Sequence, residues 1–335
     1  MRPPNTGVRP SSVGEPKPEL MRILVTGASG FIGRHLLVHA VEMGHEVIGT
    51  YLSHEELTTR LPKPESVEWR RLDMRDEKAV PEIVESVRPD GVFHLAGQAY
   101  VQNALRDPAD AFRTNVLGTI YLYEALRKHP PAAGTLLAAS SSAYGMVSKI
   151  PVTEDAPLRP LNQYGVSKAC QDMLSLQYSL NFGLRIVRAR LFITTGPGKQ
   201  GDALNDFAQQ VARCEATGKP GVLKVGNLDT RRDISDVRDV VKALWILFEK
   251  GDPLEAVNVG AGHSFSIREM AEKLVRLAQV PLRLVQDPKL LRPTDEAEIL
   301  GDISRLRSLG YKSTYPFDRT IVDALDFWRD ETKAS

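Results

Sequence analysis

Residues 23–33, ILVTGASGFIG, constrain this chain more than any other segment. Three apolar, β-favouring residues run directly into Gly27, Gly30 and Gly33, and these lead into FIGRHLLVHAVEMG, whose apolar residues recur at helical spacing. A strand that turns at once into a helix needs glycine for the tight turn. The same glycines let a ligand's negative charge approach the backbone and rest on the helix N-terminus. As a bare pattern G-x-x-G-x-x-G says little, but between a strand and a helix at the head of a βα alternation it reads as a dinucleotide pyrophosphate site.

That alternation continues. A second strand follows at 46–50, residues 81–87 read as a helix, 91–95 as a strand and 110–128 as a long helix. Next come a strand at 135–140, a helix at 164–182 and a strand at 184–190. This predicts an α/β protein with a Rossmann-like, doubly wound parallel sheet, whose ligands sit at the carboxyl ends of the strands. After Arg190 the rhythm breaks at TTGPGKQGD. Helices are expected near 204–217, 237–249, 267–278 and 319–329, separated by the basic segment NLDTRRDISDVRD, by VNVG and by PKLLRPTDE. Residues 21–190 are therefore expected to form an NAD(P)-binding domain. Residues 191–335 should form a smaller C-terminal substrate-binding lobe, with segments returning to the main sheet.

Composition narrows the partners. With 335 residues, 42% hydrophobic, the chain can bury a large core. Its formal net charge of +1 gives no general attraction to nucleic acid or an anionic membrane, so an anionic ligand must be met by individual arginines. Cys170 and Cys214 are too few and too far apart for a metal cluster, and they suit a reducing, cytoplasmic setting. Residues 1–20 are rich in proline and polar residues and lack a long apolar run. They are expected to be a disordered extension, with Met21 as an alternative start.

A second motif supplies chemistry. In YGVSK, Tyr164 and Lys168 are four residues apart and share one helical face, where an ammonium beside the phenol is expected to lower its pKa. The preceding strand ends in AASSSAYG, which brings Ser140 to the same edge. Serines there also cap loops, but Ser140 is favoured as a donor that polarises a reacting carbonyl. Together these residues point to hydride transfer to or from a carbonyl or alcohol. At the ribose end Tyr51 stands where an acid would read NAD, with Arg34 near, so NADP is slightly favoured over NAD. Asp73 and Met74 either hold the adenine or belong to an ordinary loop. His35 and His39 lack a third ligand, so no metal site is expected, and His94 reads as structural.

The chain resembles the extended short-chain dehydrogenase/reductases that act on nucleotide sugars, the NAD-dependent epimerase/dehydratase family. The resemblance spans residues 22–329 and rests on TGASGFIG, HLAG at 94–97, TNVLGT at 114–119, SSSAYG, YGVSK and TGPG at 195–198. VGNLDTRRDISDVRDVV and LLRPTDEAEILGD look most like the branch handling GDP-linked 6-deoxy-4-keto hexoses, which includes GDP-4-keto-6-deoxy-mannose reductases and GDP-mannose 4,6-dehydratases. It implies Ser140, Tyr164 and Lys168 as the catalytic set. It implies cofactor contacts at Gly27, Ser29, Gly30, Phe31, Ile32, Gly33, Asp73, Met74, Leu95, Ala96 and Gly97, as well as at Tyr164 and Lys168. Substrate contacts are implied at Ser140, Ser141, Thr194, Asn205, Val225, Arg232 and Arg292. The two arginines would grip a diphosphate rather than pair with Asp233 or Asp295. NADP or NAD as cofactor, a GDP-linked sugar as substrate, and a homodimer through the helices at 110–128 and 164–182 are likewise implied.

Two positions depart from the family. Dehydratases carry an acidic pair just after the catalytic hydroxyl, where this chain has Ser141 and Ser142, and a hydroxyl is no substitute for a general base. Dehydration is therefore disfavoured. The family's asparagine after ARLF is replaced by Ile193, which suggests a reshaped sugar contact. The expected activity is reduction of a 4-keto nucleotide sugar, with a 4-epimerase holding tightly bound NAD as the alternative. A non-catalytic sensor fits poorly with an intact Ser/Tyr/Lys set.

Overall fold

A computed structural model describes residues 20–291 and 297–334. The expected disordered extension, apart from Leu20, lies outside the described residues, as do Arg292 and Asp295. The chain begins with β1 (Arg22–Thr26), α1 (Phe31–Glu42), β2 (Glu46–Tyr51), β3 (Glu68–Arg71), α2 (Ala79–Val87) and β4 (Gly91–His94). It continues with α3 (Val101–Arg106), α4 (Pro108–Phe112), α5 (Gly118–Lys128), β5 (Gly134–Ser140), α6 (Gln163–Phe182) and β6 (Ile186–Leu191). Beyond β6 come β7 (Ile193–Thr195), α7 (Ala203–Thr217), β8 (Gly221–Val225), β9 (Arg231–Asp236), α8 (Val237–Lys250) and β10 (Ala256–Val259). The remainder is β11 (Ser264–Ser266), α9 (Ile267–Leu277), β12 (Leu282–Gln286), β13 (Glu298–Ile299), α10 (Ser304–Ser308) and α11 (Phe317–Ala334).

Seven strands form one parallel sheet in the order β10-β6-β5-β4-β1-β2-β3. The short apolar runs become central strands because helices cover both faces, so alternate residues are buried in opposite directions. Ile23 and Val25 join the core shared with α1 and α8, while Leu24 joins the core shared with α2, α5 and α6. A third core lies among α7, β8, α9 and α11, around Phe207, Leu223, Leu274 and Trp328. The later segments return to the main sheet: β10 lies outside β6, and α8 packs beside α1.

The expected unbroken helix at 110–128 is instead α4 and α5 joined by a π-helical turn at Arg113–Leu117. Asn115 is fully buried on that wider turn, accepts from the Gln98 amide at 2.7 Å and donates to Ser167 Oγ at 2.9 Å. A regular helix through this point would lose that reach.

One buried charge cluster ties the sheet to α6. Asp172 is 1% exposed and receives Arg188 at 3.0 Å and Arg190 at 2.8 Å, both from β6. Arg190 also donates to Tyr144 Oη at 3.0 Å, which donates to Asn258 Oδ1 on β10 at 2.7 Å. Replacing Asp172 by alanine would strand two buried cations, so D172A should lose about 3–5 kcal/mol of stability in urea unfolding. A loss below about 1 kcal/mol would show that the cluster does not hold the helix on the sheet.

Candidate active site

The glycine turn is built for close approach. Gly27 has φ of 70°, a left-handed conformation, and a Cβ there would lie 2.6 Å from the Ala96 backbone. At Gly33 a Cβ would meet the Gly27 carbonyl at 2.5 Å. Gly30 caps α1 with no side-chain hydrogen bond, so the amides of Phe31, Ile32 and Gly33 open the helix uncapped. Uncapped amides at the positive end of a helix are the donor set a pyrophosphate needs, so these residues fit a dinucleotide.

The turn sits among other carboxyl-edge segments. The amides of Leu95 and Ala96, just past β4, donate to Thr26 O at 3.1 Å and Thr26 Oγ1 at 3.4 Å. Gly97 lies against Asn115. Past β3, Asp73 accepts Arg75 at 2.7 Å, and this guanidinium also reaches Asp110; hydrogen bonding to Arg75 holds the Asp73 carboxyl below its usual range. Met74 is buried in the core shared with α2 and α5, against Gly118. His94 is a satisfied structural residue, bonded to Thr26 and Thr119 at 2.7 and 2.9 Å, and burial drives its pKa down to about 3. His35 and His39 also pack internally, in edge contacts with the rings of Phe31 and Trp245.

Ser140, Tyr164 and Lys168 converge where β5 ends and α6 begins. Ser140 Oγ faces the Tyr164 hydroxyl and accepts the Ser142 amide at 3.2 Å. Asn162 caps α6 through the Gly165 amide, which sets Tyr164 in the first turn. Gly165 is obligatory there, since a Cβ would meet the Ser142 carbonyl at 2.5 Å. Lys168 is 7% exposed and donates to Ala138 O at 2.6 Å.

The expected lowering of the phenol is corrected by the structure. The Tyr164 ring is half-buried but its hydroxyl lies deep, and burial raises its pKa; only the neighbouring Ser140 hydroxyl opposes this. Lys168 spends its ammonium on a backbone carbonyl. Burial draws its own pKa down to about 8, against the raising effect of Asp172.

On the lobe side the expected contacts divide. Arg232 is half-buried on β9, while its neighbour Asp233 faces the opposite way and accepts the amides of Ala261, Gly262 and Gly301. Asp233 is thus a loop anchor. Asn205 is held inside the protein: its amide nitrogen serves Thr195, Gly196 and Asp202, and its oxygen accepts Trp328 Nε1 at 2.9 Å. Thr194 is 4% exposed, with its hydroxyl on Phe192 O, and the fully buried Val225 gives its carbonyl to the Asp287 amide. Ile193 packs against the lobe core and pairs with Ile234, so the family's polar position is here filled by strand packing.

Several residues around the site lie outside the sequence motifs. Asp172 lies one turn beyond Lys168, an i,i+4 spacing that a search for charge pairs would have found. Lys199 reaches the Thr194 carbonyl and lies 5.8 Å from the Phe31 ring, and Glu56 meets Ser29 from a loop without a motif. Ser141 and Ser142 form a short 3-10 turn and line a cleft of about 120 Å³ with Val147, Val152, Phe192 and Ile299.

Comparison with known proteins gives the family. The model of the GDP-mannose 4,6 dehydratase family matches residues 24–324. A GDP-6-deoxy-D-mannose reductase of Pseudomonas aeruginosa is 33% identical over 93% of this chain and 98% of its own. The solved structure of the P. aeruginosa protein RMD with NADPH is 31% identical with a TM-score of 0.79, covering 93% of this chain and 99% of that one. A Thermotoga maritima UDP-glucose 4-epimerase with UDP-glucose is 25% identical with a TM-score of 0.83, covering 93% and 100%. The chain belongs to the GDP-mannose 4,6-dehydratase family, among the NAD(P)-dependent extended short-chain dehydrogenase/reductases.

Proposed function

We propose that this enzyme reduces the 4-keto group of a GDP-linked 6-deoxy-hexose. The observation that carries the reading is the hydroxyl-only floor of the site. Ser140 faces the Tyr164 hydroxyl, and Ser141 and Ser142 continue the same turn with no carboxylate to abstract a carbon-bound proton. Glu298 also lines the cleft, but its carboxylate accepts the Ser264 hydroxyl and lies 3.9 Å from Arg231. Valine, phenylalanine and isoleucine side chains in that cleft suit the methyl of a deoxy sugar. The P. aeruginosa reductase, similar over nearly its whole length, supports the substrate class. Arg232 and Arg292 are assigned to the diphosphate, and the backbone near Val225 to the nucleotide.

NAD(P)H, when bound, supplies the hydride to C4. Tyr164 protonates the 4-oxygen, and its raised pKa keeps it protonated until a stronger base, the developing alkoxide, is beside it. Ser140 donates to the same oxygen and disperses its charge. Lys168 is assigned to the cofactor ribose, and the phenolate left behind regains its proton from solvent.

The similarity to 4-epimerases keeps one second reading, in which the same residues act on both faces of C4. Incubation with a GDP-linked 4-keto-6-deoxy sugar separates the two. Reduction consumes NAD(P)H in proportion to product and adds one hydride and one proton to the sugar, whereas epimerisation consumes none. Under the proposal, Y164F should lower kcat by about 10²–10⁴-fold while the fold, read by circular dichroism, stays unchanged. Full retention of activity would refute the assignment.

Lys168 predicts a pH signature. Its folded pKa of about 8 lies below its ordinary value of 10.5, so between them the unfolded chain holds the extra proton. Stability should therefore rise with pH across that window, by ~3 kcal/mol more in the wild type than in K168M, with the cost fully present below it. Parallel slopes in urea titrations of the two would overturn this.

The homodimer belongs to the same proposal. Val166, Met173 and Leu180 repeat every seventh residue on the outer face of α6, at 36%, 64% and 61% exposure. That spacing favours helix pairing with a second copy. The double variant M173E/L180E should sediment as a monomer where the wild type sediments as a dimer.

A further inference from the structure

We propose that Glu56 reads the adenosine ribose and makes NADH, rather than NADPH, the preferred cofactor. This rests on the glycine turn being the dinucleotide site and not on the identity of the sugar.

In folds of this class the residue closing the second strand tests the ribose 2′-position, and β2 here ends at Tyr51, which has no carboxylate. A carboxylate reaches the same place from farther along the chain. Glu56 lies in the 3-10 turn His54–Thr58, and its Oε2 accepts the Ser29 hydroxyl at 2.5 Å and the Leu52 amide at 3.0 Å. It therefore bridges the glycine turn after β1 to the first residue past β2. Its Oε1 makes no hydrogen bond among the described residues, which leaves an acceptor for a ribose hydroxyl.

The loop that presents Glu56 is held from inside. Arg34 is fully buried and donates to Glu56 O at 2.7 Å, and to Ser29 O and Pro62 O at 3.4 Å, while its guanidinium stacks on Trp69 at 4.8 Å. The cation that sequence proximity offered to a 2′-phosphate is thus a positioning residue for the acid. A 2′-phosphate would bring about two negative charges against the Glu56 carboxylate, whereas a 2′-hydroxyl offers it a donor. The rival cation is Arg71, exposed at the end of β3, whose Nε donates to Leu52 O at 3.3 Å.

Fluorescence titration of the full chain with NADH and with NADPH, at one ionic strength and without sugar, tests this. The wild type should bind NADH at least about tenfold more tightly. E56Q, which keeps an acceptor but loses the charge, should shrink that ratio at least about tenfold, mainly by gaining NADPH affinity. R71A should leave the ratio unchanged. Tighter binding of NADPH by the wild type, an unaltered ratio in E56Q, or selective loss of NADPH in R71A would each overturn the proposal. Binding of neither nucleotide would instead overturn the dinucleotide site itself.

Discussion

The candidate catalytic edge depends on the pairing of Asp172 with Arg188 and Arg190. An isolated buried carboxylate is costly, but this one joins the middle of α6 to β6 with three charge-assisted hydrogen bonds. Tyr164 and Lys168 are on the turns of α6 just before it. Fixing Asp172 therefore fixes how far the helix N-terminus stands over the end of β5, and with it the contacts to Ser140 and Ala138. The same cluster extends through Tyr144 to Asn258 on β10, so the outermost strand is tied to the chemistry.

A second constraint acts at the other end of the site. Crowding around Gly27, Gly33 and Gly165 leaves no room for side chains, so the backbone itself forms the surface a ligand meets. The amide cradle and the deep phenol both stand at the carboxyl edge of the sheet. Burial sets the chemistry at the second: it holds the Tyr164 phenol protonated and brings Lys168 towards neutrality.

The architecture was legible in the sequence because buried parallel strands are short apolar runs, and because the glycine turn marks where one strand becomes a helix. Short strands such as β7, β11 and β13 have no such period and are defined by their pairing with β9. The convergence of Ser140, Tyr164 and Lys168 was also readable, since it follows from one strand end and one helix face. The direction of the Tyr164 shift was not, because it depends on depth and on where Lys168 points. Asn205 and Thr194 occupy motif positions, yet their hydrogen bonds turn inward, which residue type alone does not reveal. Glu56 was invisible for the opposite reason, since a loop outside every motif carries it to Ser29.

The placement of β10 beside β6 bears on how the chain comes to be folded. During synthesis the first six strands of the sheet are complete once β6 has left the ribosome, but the outer edge of β6 then has no partner. Residues 192–255 must emerge before Ala256–Val259 can cover it and before Asn258 can accept from Tyr144. Until then an unpaired parallel edge stands open to pairing with other nascent chains. The late strand thus acts as the closing seal of a domain that began far earlier in translation.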